Sequence, residues 1–149
     1  MPLERDDARL AFGDARVSPQ RRAIVDAVRS LPGAFTIDEL AETTRGHDGS
    51  AGTATVYRAV AALEATGYLE QVGKRGESAL YARCTRGEHH HHVVCEGCGR
   101  VETTACPVVR VAPGPPGGIA DPSGFLITRH EVTLYGYCPQ CAAAREKGA

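Results

Sequence analysis

The sequence contains 149 residues, of which 42% are hydrophobic and 23% charged, and its formal net charge is −1 at pH 7. This composition is typical of a globular protein and excludes a disordered or fibrous chain. No apolar segment approaches the roughly 18 residues of a membrane-spanning helix, and the charged first residues do not resemble a secretion signal. We therefore expect a cytoplasmic protein without a membrane partner. Because the chain has no basic excess, DNA binding would have to rest on a motif.

The first half of the chain is predicted to be mainly helical. Ser18-Pro19 begins a helix, with serine as the N-cap and proline at the first helical position. Thr36 and Glu39 form a capping box that begins a short second helix. Apolar residues at helical spacing predict a third helix over residues 53–66, with Gly67 at its C-terminal end.

A β-hairpin is predicted after the third helix. Residues 68–72 and 79–82 have strand-like sequences, and Gly73-Lys74-Arg75-Gly76 between them predicts the turn. Three helices followed by a β-hairpin are typical of a winged helix-turn-helix domain.

The second half of the chain is predicted to contain short strands. A tight turn is expected at Gly97-Cys98-Gly99, and the proline and glycine residues between positions 107 and 124 exclude a long helix there. The last segment, residues 142–149, is expected to be frayed. Strands are predicted over residues 89–95, 101–104, 125–127 and 131–137.

Four of the six cysteines form two Cys-x-x-Cys pairs, Cys95/Cys98 and Cys138/Cys141. Structural zinc sites use four tetrahedral ligands, and each pair can bring two thiolates to one ion. The alternatives are two separate redox pairs or buried thiols. A thioredoxin-type pair opens a helix, and the glycines on both sides of Cys98 argue against that. The spacing therefore favours one structural zinc site.

A run of four histidines begins at His89. On a strand, His90 and His92 share one face, while His89 and His91 share the other, so each face offers two imidazoles. The alternative is a solvated polar strand. Metal binding is favoured because other possible ligands lie nearby in sequence, and a mixed sulfur, nitrogen and oxygen set suits zinc better than ferrous iron. These ligands are Glu70, Cys84 and His130, whereas Cys106 is equally readable as a ligand, a reactive thiol or a packing residue.

The third helix is the candidate for reading DNA. Val56 and Val60 are predicted to face inward, which leaves polar side chains pointing outward near the N-terminal end. A recognition helix presents that end to the major groove, and basic residues on a wing contact phosphates. The alternative is an ordinary surface helix. The candidate contacts are Thr55, Tyr57 and Arg58 on the helix, Lys74 and Arg75 at the hairpin turn, and Arg21 near the first helix.

Taken together, these motifs resemble the ferric uptake regulator superfamily, and most of all its zinc uptake regulator branch. The resemblance runs from Arg16 to Cys141. It rests on the order and spacing of Ser18-Pro19-Gln20-Arg21-Arg22, Ala54-Thr55-Val56-Tyr57-Arg58, Cys84 with Gly87-Glu88 and the four histidines, the two Cys-x-x-Cys pairs, and His130.

The resemblance implies an α+β protein with three parts. Residues 1–83 would form a winged-helix DNA-binding domain, residues 84–88 a hinge, and residues 89–149 a small α/β dimerisation domain with zinc knuckles. The protein would be a homodimeric, zinc-responsive repressor that binds double-stranded operator DNA and controls zinc uptake genes. The alternatives are a sensor of iron, manganese, nickel or peroxide with the same fold, a zinc storage or interaction protein, and a zinc enzyme. An enzyme is disfavoured because four thiolates leave no open coordination position.

The resemblance also assigns roles to residues. Tyr57 and Arg58 match DNA-contacting positions, and Phe35 stands where iron and peroxide sensors place a ligating histidine. At Arg110 the family has a glutamate of a third metal site, so either Glu102 or Cys106 substitutes or that site is weakened or absent. The implied metal ligands are Cys95, Cys98, Cys138 and Cys141 for structural zinc, Glu70, Cys84, His90 and His92 for sensing, and His89, His91 and His130 for the third site.

Overall fold

The computed structural model describes residues 4–13, 16–48, 51–83, 90–104, 119–120, 123–127 and 130–148. The predicted hinge and four of the residues singled out above, Cys84, His89, Cys106 and Arg110, lie outside the described residues. No helix within the described ranges is long and apolar enough to span a membrane.

Four helices and a β-hairpin form the N-terminal half. The elements are α1 (Glu4–Ala11), α2 (Pro19–Ser30), α3 (Ile37–Thr44), α4 (Thr53–Ala65), β1 (Leu69–Arg75) and β2 (Ser78–Arg83). Three of the helices and the hairpin agree with the sequence prediction, whereas α1 was not predicted. Its side chains Ala8 and Ala11, with Phe12 after it, enter the same core as Ile24 and Leu63. The helices therefore pack around one apolar core.

Local capping fixes where the predicted helices begin. The hydroxyl of Ser18 accepts a hydrogen bond from the N–H of Arg21, which caps α2. At α3, the N–H of Glu39 donates to Thr36 Oγ1 over 3.2 Å, and the N–H of Thr36 donates to the Glu39 carboxylate over 2.8 Å. This reciprocal pair satisfies two N–H groups that the first helical turn cannot pair.

The capping box gives a stability prediction. Thr36→Ala is expected to lower the free energy of unfolding by about 1 kcal/mol, because it removes the acceptor for an N–H group at the start of α3. Urea unfolding followed by circular dichroism measures the change. Thr43→Ala is the matched control, because Thr43 is half-buried on the same helix and its hydroxyl takes no part in the capping box: it donates to the carbonyl oxygen of Glu39. Equal stability of Thr36→Ala and the control would show that the box contributes nothing.

The predicted hairpin turn is wrong in position. Strand β1 continues through Arg75, and the turn lies at Gly76 and Glu77, where Gly76 has a φ of +59°. The register shifts between Gln71 and Gly73, so Val72 is an extra residue in a β-bulge. Gly73, which suggested a turn, instead lies inside the strand. A glycine is needed there because the ring of Tyr135 comes too close for a larger side chain.

A three-stranded sheet organises the C-terminal half. Its central strand β3 (His91–Cys95) pairs antiparallel with β4 (Val101–Thr104) and parallel with β7 (Thr133–Gly136). Strands β5 (Ile119–Ala120) and β6 (Leu126–Ile127) form a separate two-stranded ribbon. The prediction that the last residues are frayed is wrong, because helix α5 runs over Pro139–Lys147. Proline in its first turn and two basic residues in its last turn favour that helix.

A second, smaller core joins the two halves. Ala34 before α3 and Val72, Leu80 and Ala82 of the hairpin are buried together with Val94 of β3. The N–H of Ala34 also donates to the carbonyl oxygen of Gly99 over 2.8 Å. The hairpin is therefore packed directly against the C-terminal sheet, and this contact brings together side chains of both halves that are described below.

Candidate metal centres and recognition helix

Four cysteine thiols meet at one end of the C-terminal sheet. Cys95 ends β3, Cys98 lies in the following turn, and Cys138 and Cys141 lie at the start of α5. Their sulfur atoms all lie within 4.8 Å of one another, with 3.9 Å between Cys98 Sγ and Cys138 Sγ. The structure thus brings together all four cysteines predicted to hold structural zinc. Four thiolates in two knuckles are a closed tetrahedral donor set.

The electrostatics of this cluster also fit a cation. The N–H of Cys138 donates to Cys95 Sγ over 3.3 Å, and this bond, with further backbone N–H groups, lowers the pKa of the Cys95 thiol to about 6. Hydrogen bonds to Cys138 and Cys95 raise the pKa of the Cys141 thiol to about 12. Four sulfurs this close cannot all carry negative charge unless a positive ion lies among them.

A second cluster joins the hairpin to the C-terminal sheet. Glu70 lies on β1, His92 on β3 and His90 just before β3. Glu70 Oε2 is 3.4 Å from the Nε2 atoms of both histidines, and the two rings are perpendicular at 4.9 Å. Three of the four predicted sensing ligands are therefore together, while the fourth, Cys84, lies outside the described residues.

His92 shows that this cluster suits a metal ion. Its side chain is buried, and its Nε2 atom has no hydrogen-bond partner among the described residues, although Glu70 is near. Burial lowers the pKa of His92 against the opposing effect of Glu70, so the ring is neutral and its lone pair is available. A buried nitrogen without a partner is costly unless a ligand satisfies it.

The opposite face of β3 carries a pair of histidines. His91 is buried, and its Nε2 atom lies 3.1 Å from Nε2 of His130. Glu102, one of the predicted substitutes for the missing glutamate, is instead held by the Arg100 guanidinium at 2.5 and 2.8 Å. Within the described ranges no third donor joins the two histidines at less than 4.8 Å. Of the predicted third site, the structure brings His91 and His130 together, while His89 and Cys106 lie outside the described residues, so the site itself stays a prediction.

Helix α4 presents the predicted recognition residues. Val56 and Val60 are fully buried, so the helix faces the core as predicted. On the other side, Tyr57 is 50% exposed and Arg58 Nη2 donates to Thr55 Oγ1 over 3.2 Å. The Thr55 hydroxyl and the Arg58 guanidinium thus lie together, and the Tyr57 ring is exposed on the same helix.

Two other predicted DNA contacts, Arg75 and Arg21, have protein partners for their side chains, and Lys74 has one for its backbone N–H. Arg75 forms an ion pair with Glu39 over 2.6 Å. Burial raises the pKa of Glu39, but hydrogen bonds from Thr36 and Arg75 outweigh it and hold that pKa below its usual value. Arg21 lies over the ring of Phe12 at 4.7 Å and donates to a backbone carbonyl oxygen. The N–H of Lys74 donates to the hydroxyl of Tyr135, a contact that the sequence analysis missed.

Comparisons with known proteins agree with this architecture. A model of the ferric uptake regulator family matches residues 13–135. The transcriptional regulator FurA of Mycobacterium tuberculosis is 32% identical over 133 residues, which cover 89% of this chain and 87% of FurA. A ferric uptake regulation protein of Legionella pneumophila is 37% identical over 90 residues, 60% of this chain and 63% of that relative. The latter match thus spans less than two thirds of the relative.

A solved structure extends the comparison to the fold. A zinc uptake regulator complexed with zinc and DNA superposes with a TM-score of 0.68 at 21% identity, covering 97% of this chain and 95% of that one. The predicted α+β fold is therefore confirmed. The family model and the match to FurA lead to one conclusion: this chain belongs to the ferric uptake regulator family of metal-responsive transcriptional regulators.

Proposed function

We propose that the protein is a zinc-responsive repressor of the zinc uptake regulator branch, which binds operator DNA as a homodimer and controls zinc uptake genes. The observation that carries this proposal is the cluster of Glu70, His90 and His92, because its ligands come from both domains. The four-cysteine cluster would hold a separate, structural zinc.

The donor set favours zinc over iron. Two imidazoles and one carboxylate meet in the second cluster, and Cys84 is proposed as the fourth ligand. A thiolate in such a set suits zinc. Phe35, at the position where the resemblance places a histidine in iron and peroxide sensors, is 2% exposed and packs in the N-terminal core. A buried phenyl ring supplies no ligand.

The regulatory response would follow from the placement of these side chains. A bound zinc ion would supply a positive charge that the carboxylate and both imidazoles can share. Glu70 belongs to the hairpin and His92 to the C-terminal sheet, so sharing one ion would favour the closed arrangement of the two domains. A ligand shifts such an equilibrium only by its preference for one arrangement. The closed arrangement would set the spacing of the two α4 helices in a dimer.

A dimer is supported by apolar surface on the C-terminal half. Phe125, Leu126 and Leu134 are 70%, 52% and 42% exposed. Several large apolar side chains exposed on one half of a protein favour an interaction site there. We propose a second copy of the chain as the partner.

Arg58 gives a test of the DNA-binding surface. Arg58→Ala is expected to weaken operator binding by about 10-fold or more, because it removes a guanidinium that can pair with guanine or phosphate. Fluorescence anisotropy with a labelled duplex measures this. Arg145→Ala is the matched control, since it makes the same charge change on α5, where Arg145 stacks on Tyr137. Equal loss in both variants would assign the effect to net charge alone.

The identity of the sensing metal is tested by selecting, from a random-sequence pool, the DNA that the protein binds. Separate selections contain zinc, ferrous iron, manganese or a chelator too weak to remove metal from the four-cysteine site. The proposal expects enrichment of one sequence in the zinc arm at the lowest free metal concentration. Enrichment with iron or manganese but not zinc would move the protein to another branch of the family. Equal enrichment with zinc and with the chelator would show that the sensing metal does not control DNA binding.

An iron-responsive regulator is the second candidate. It is favoured by the names of the sequence relatives, which include the ferric uptake regulation protein of Legionella pneumophila and FurA. The same selection experiment separates the two candidates, because only the metal that drives enrichment differs.

A further inference from the structure

Two side chains of β7 hold the hairpin in place. The hydroxyl of Tyr135 accepts a hydrogen bond from the N–H of Lys74 over 2.7 Å. The hydroxyl of Thr133 donates to the carbonyl oxygen of Val72 over 2.9 Å. Both backbone groups belong to β1, and the sequence separation is 61 residues in each case. The two bonds therefore fasten the wing to the C-terminal sheet.

The bulge in β1 makes these contacts available. Val72 is the extra residue between Gln71 and Gly73, so its carbonyl group leaves the hairpin ladder. Gly73 then lies under Tyr135. A Cβ atom at Gly73 would be 2.6 Å from Tyr135 Oη and 3.0 Å from Thr133 Cγ2. Only glycine lets β7 approach this closely. The four residues Val72, Gly73, Thr133 and Tyr135 are called the wing latch below.

The latch lies beside the second metal cluster. Thr133 is the register partner of His92 in the parallel pair of β7 and β3. On the hairpin side, Glu70 precedes the bulge in β1. Thr133 and Tyr135 also line the cavity that contains Glu70, His90 and His92. One displacement of β1 along β7 would therefore move the carboxylate relative to both imidazoles.

We propose that Thr133 and Tyr135 are positioning residues of the second metal site. They hold β1 in the register that places Glu70 at 3.4 Å from both histidines. Neither side chain is a metal ligand in this proposal, because each hydroxyl is bonded to a backbone group of the hairpin. Through the latch, the affinity of the site for metal also depends on the position of the β1–β2 hairpin, the wing. In this regulatory part, the proposal rests on the proposed function.

The energetic argument uses linkage. Metal binds with full affinity only to the fraction of molecules in which the domains are closed. Removing one hydrogen bond that exists only in the closed arrangement lowers that fraction, and a typical bond of this kind changes an equilibrium by about 2- to 10-fold. Gly73→Ala acts more strongly, because its methyl group displaces Tyr135 and Thr133 together.

The test is a cobalt titration of the dimeric protein with zinc retained in the four-cysteine site. The variants are Tyr135→Phe and Gly73→Ala. Tyr137→Phe is the control, because Tyr137 is similarly exposed but stacks on Arg145 away from the wing. Glu70→Ala is included for comparison as a variant that loses a proposed metal ligand. Zinc content and thermal unfolding report whether each variant is folded.

We expect Tyr135→Phe to bind cobalt about 2- to 10-fold more weakly and Gly73→Ala more weakly still. At saturation both should show the visible cobalt bands of the wild type, whereas Glu70→Ala should show altered bands. Wild-type affinity in Tyr135→Phe and Gly73→Ala would overturn the latch and leave the proposed function intact. A wild-type protein without a second cobalt site would overturn both.

Discussion

Cys95→Ser is expected to eliminate the tightly bound zinc and unfold much of the C-terminal half. Helix α5 buries no side chain among the described residues, and Leu134 of β7 is 42% exposed. The apolar core of this half is therefore too small to replace the metal. Structural zinc contributes up to about 10–16 kcal/mol of apparent binding free energy in small domains. We expect the midpoint of thermal unfolding to fall by more than about 10 °C, since even 3 kcal/mol has that effect.

The measurement is zinc content by mass spectrometry together with calorimetry. Cys106→Ser is the matched control, because it makes the same atomic change at a cysteine that belongs to neither Cys-x-x-Cys pair. The control should retain one tightly bound zinc per chain and the wild-type unfolding midpoint. If Cys95→Ser also retained both, the cluster would not be a structural zinc site.

Glu70→Ala is expected to abolish the metal response of DNA binding. The wild type should bind operator DNA about 5–150-fold more tightly with sensing metal than without it, the range typical of coupled sites. Without the carboxylate, the two histidines belong to the C-terminal half alone, so occupancy of the site no longer depends on the hairpin. The ratio of the two affinities should therefore fall to near one. Anisotropy titrations at two buffered zinc concentrations give this ratio.

Glu77→Ala controls for the loss of a negative charge on the same hairpin. Glu77 lies exposed at the turn between β1 and β2, away from the second cluster. This variant should keep the wild-type ratio. A Glu70→Ala protein that still responded to zinc as the wild type does would exclude Glu70 as the link between metal and wing.

Local signals predicted much of the fold. The caps at Ser18 and Thr36 act within three residues, so the beginnings of α2 and α3 could be recognised from the sequence. The two Cys-x-x-Cys pairs predicted that all four cysteines lie together, because each pair restricts two ligands to one turn. The alternation of side chains along a strand likewise predicted that His92 and His91 lie on opposite faces of β3. In the structure, His92 is close to Glu70 and His91 is close to His130.

Long-range contacts could not be predicted in the same way. Gly73 indicated a turn, and only the ring of Tyr135, distant in sequence, explains why a glycine lies within β1. The ion pair of Arg75 with Glu39 likewise joins residues that are 36 positions apart. The DNA-contacting roles of Lys74 and Arg75 stay predictions. Helix α5 was missed because it buries no apolar face that a hydrophobic pattern would reveal.

The zinc affinity of the second site, measured with and without operator DNA, tests the central claim most directly. If zinc at this site controls DNA binding, linkage requires DNA to tighten zinc by the same factor. Competition with a chelator of known affinity should therefore show about 5–150-fold tighter zinc binding in the DNA complex, matching the gain in DNA affinity. Equal zinc affinity with and without DNA would contradict the account and leave a DNA-binding protein whose second metal site is not a switch.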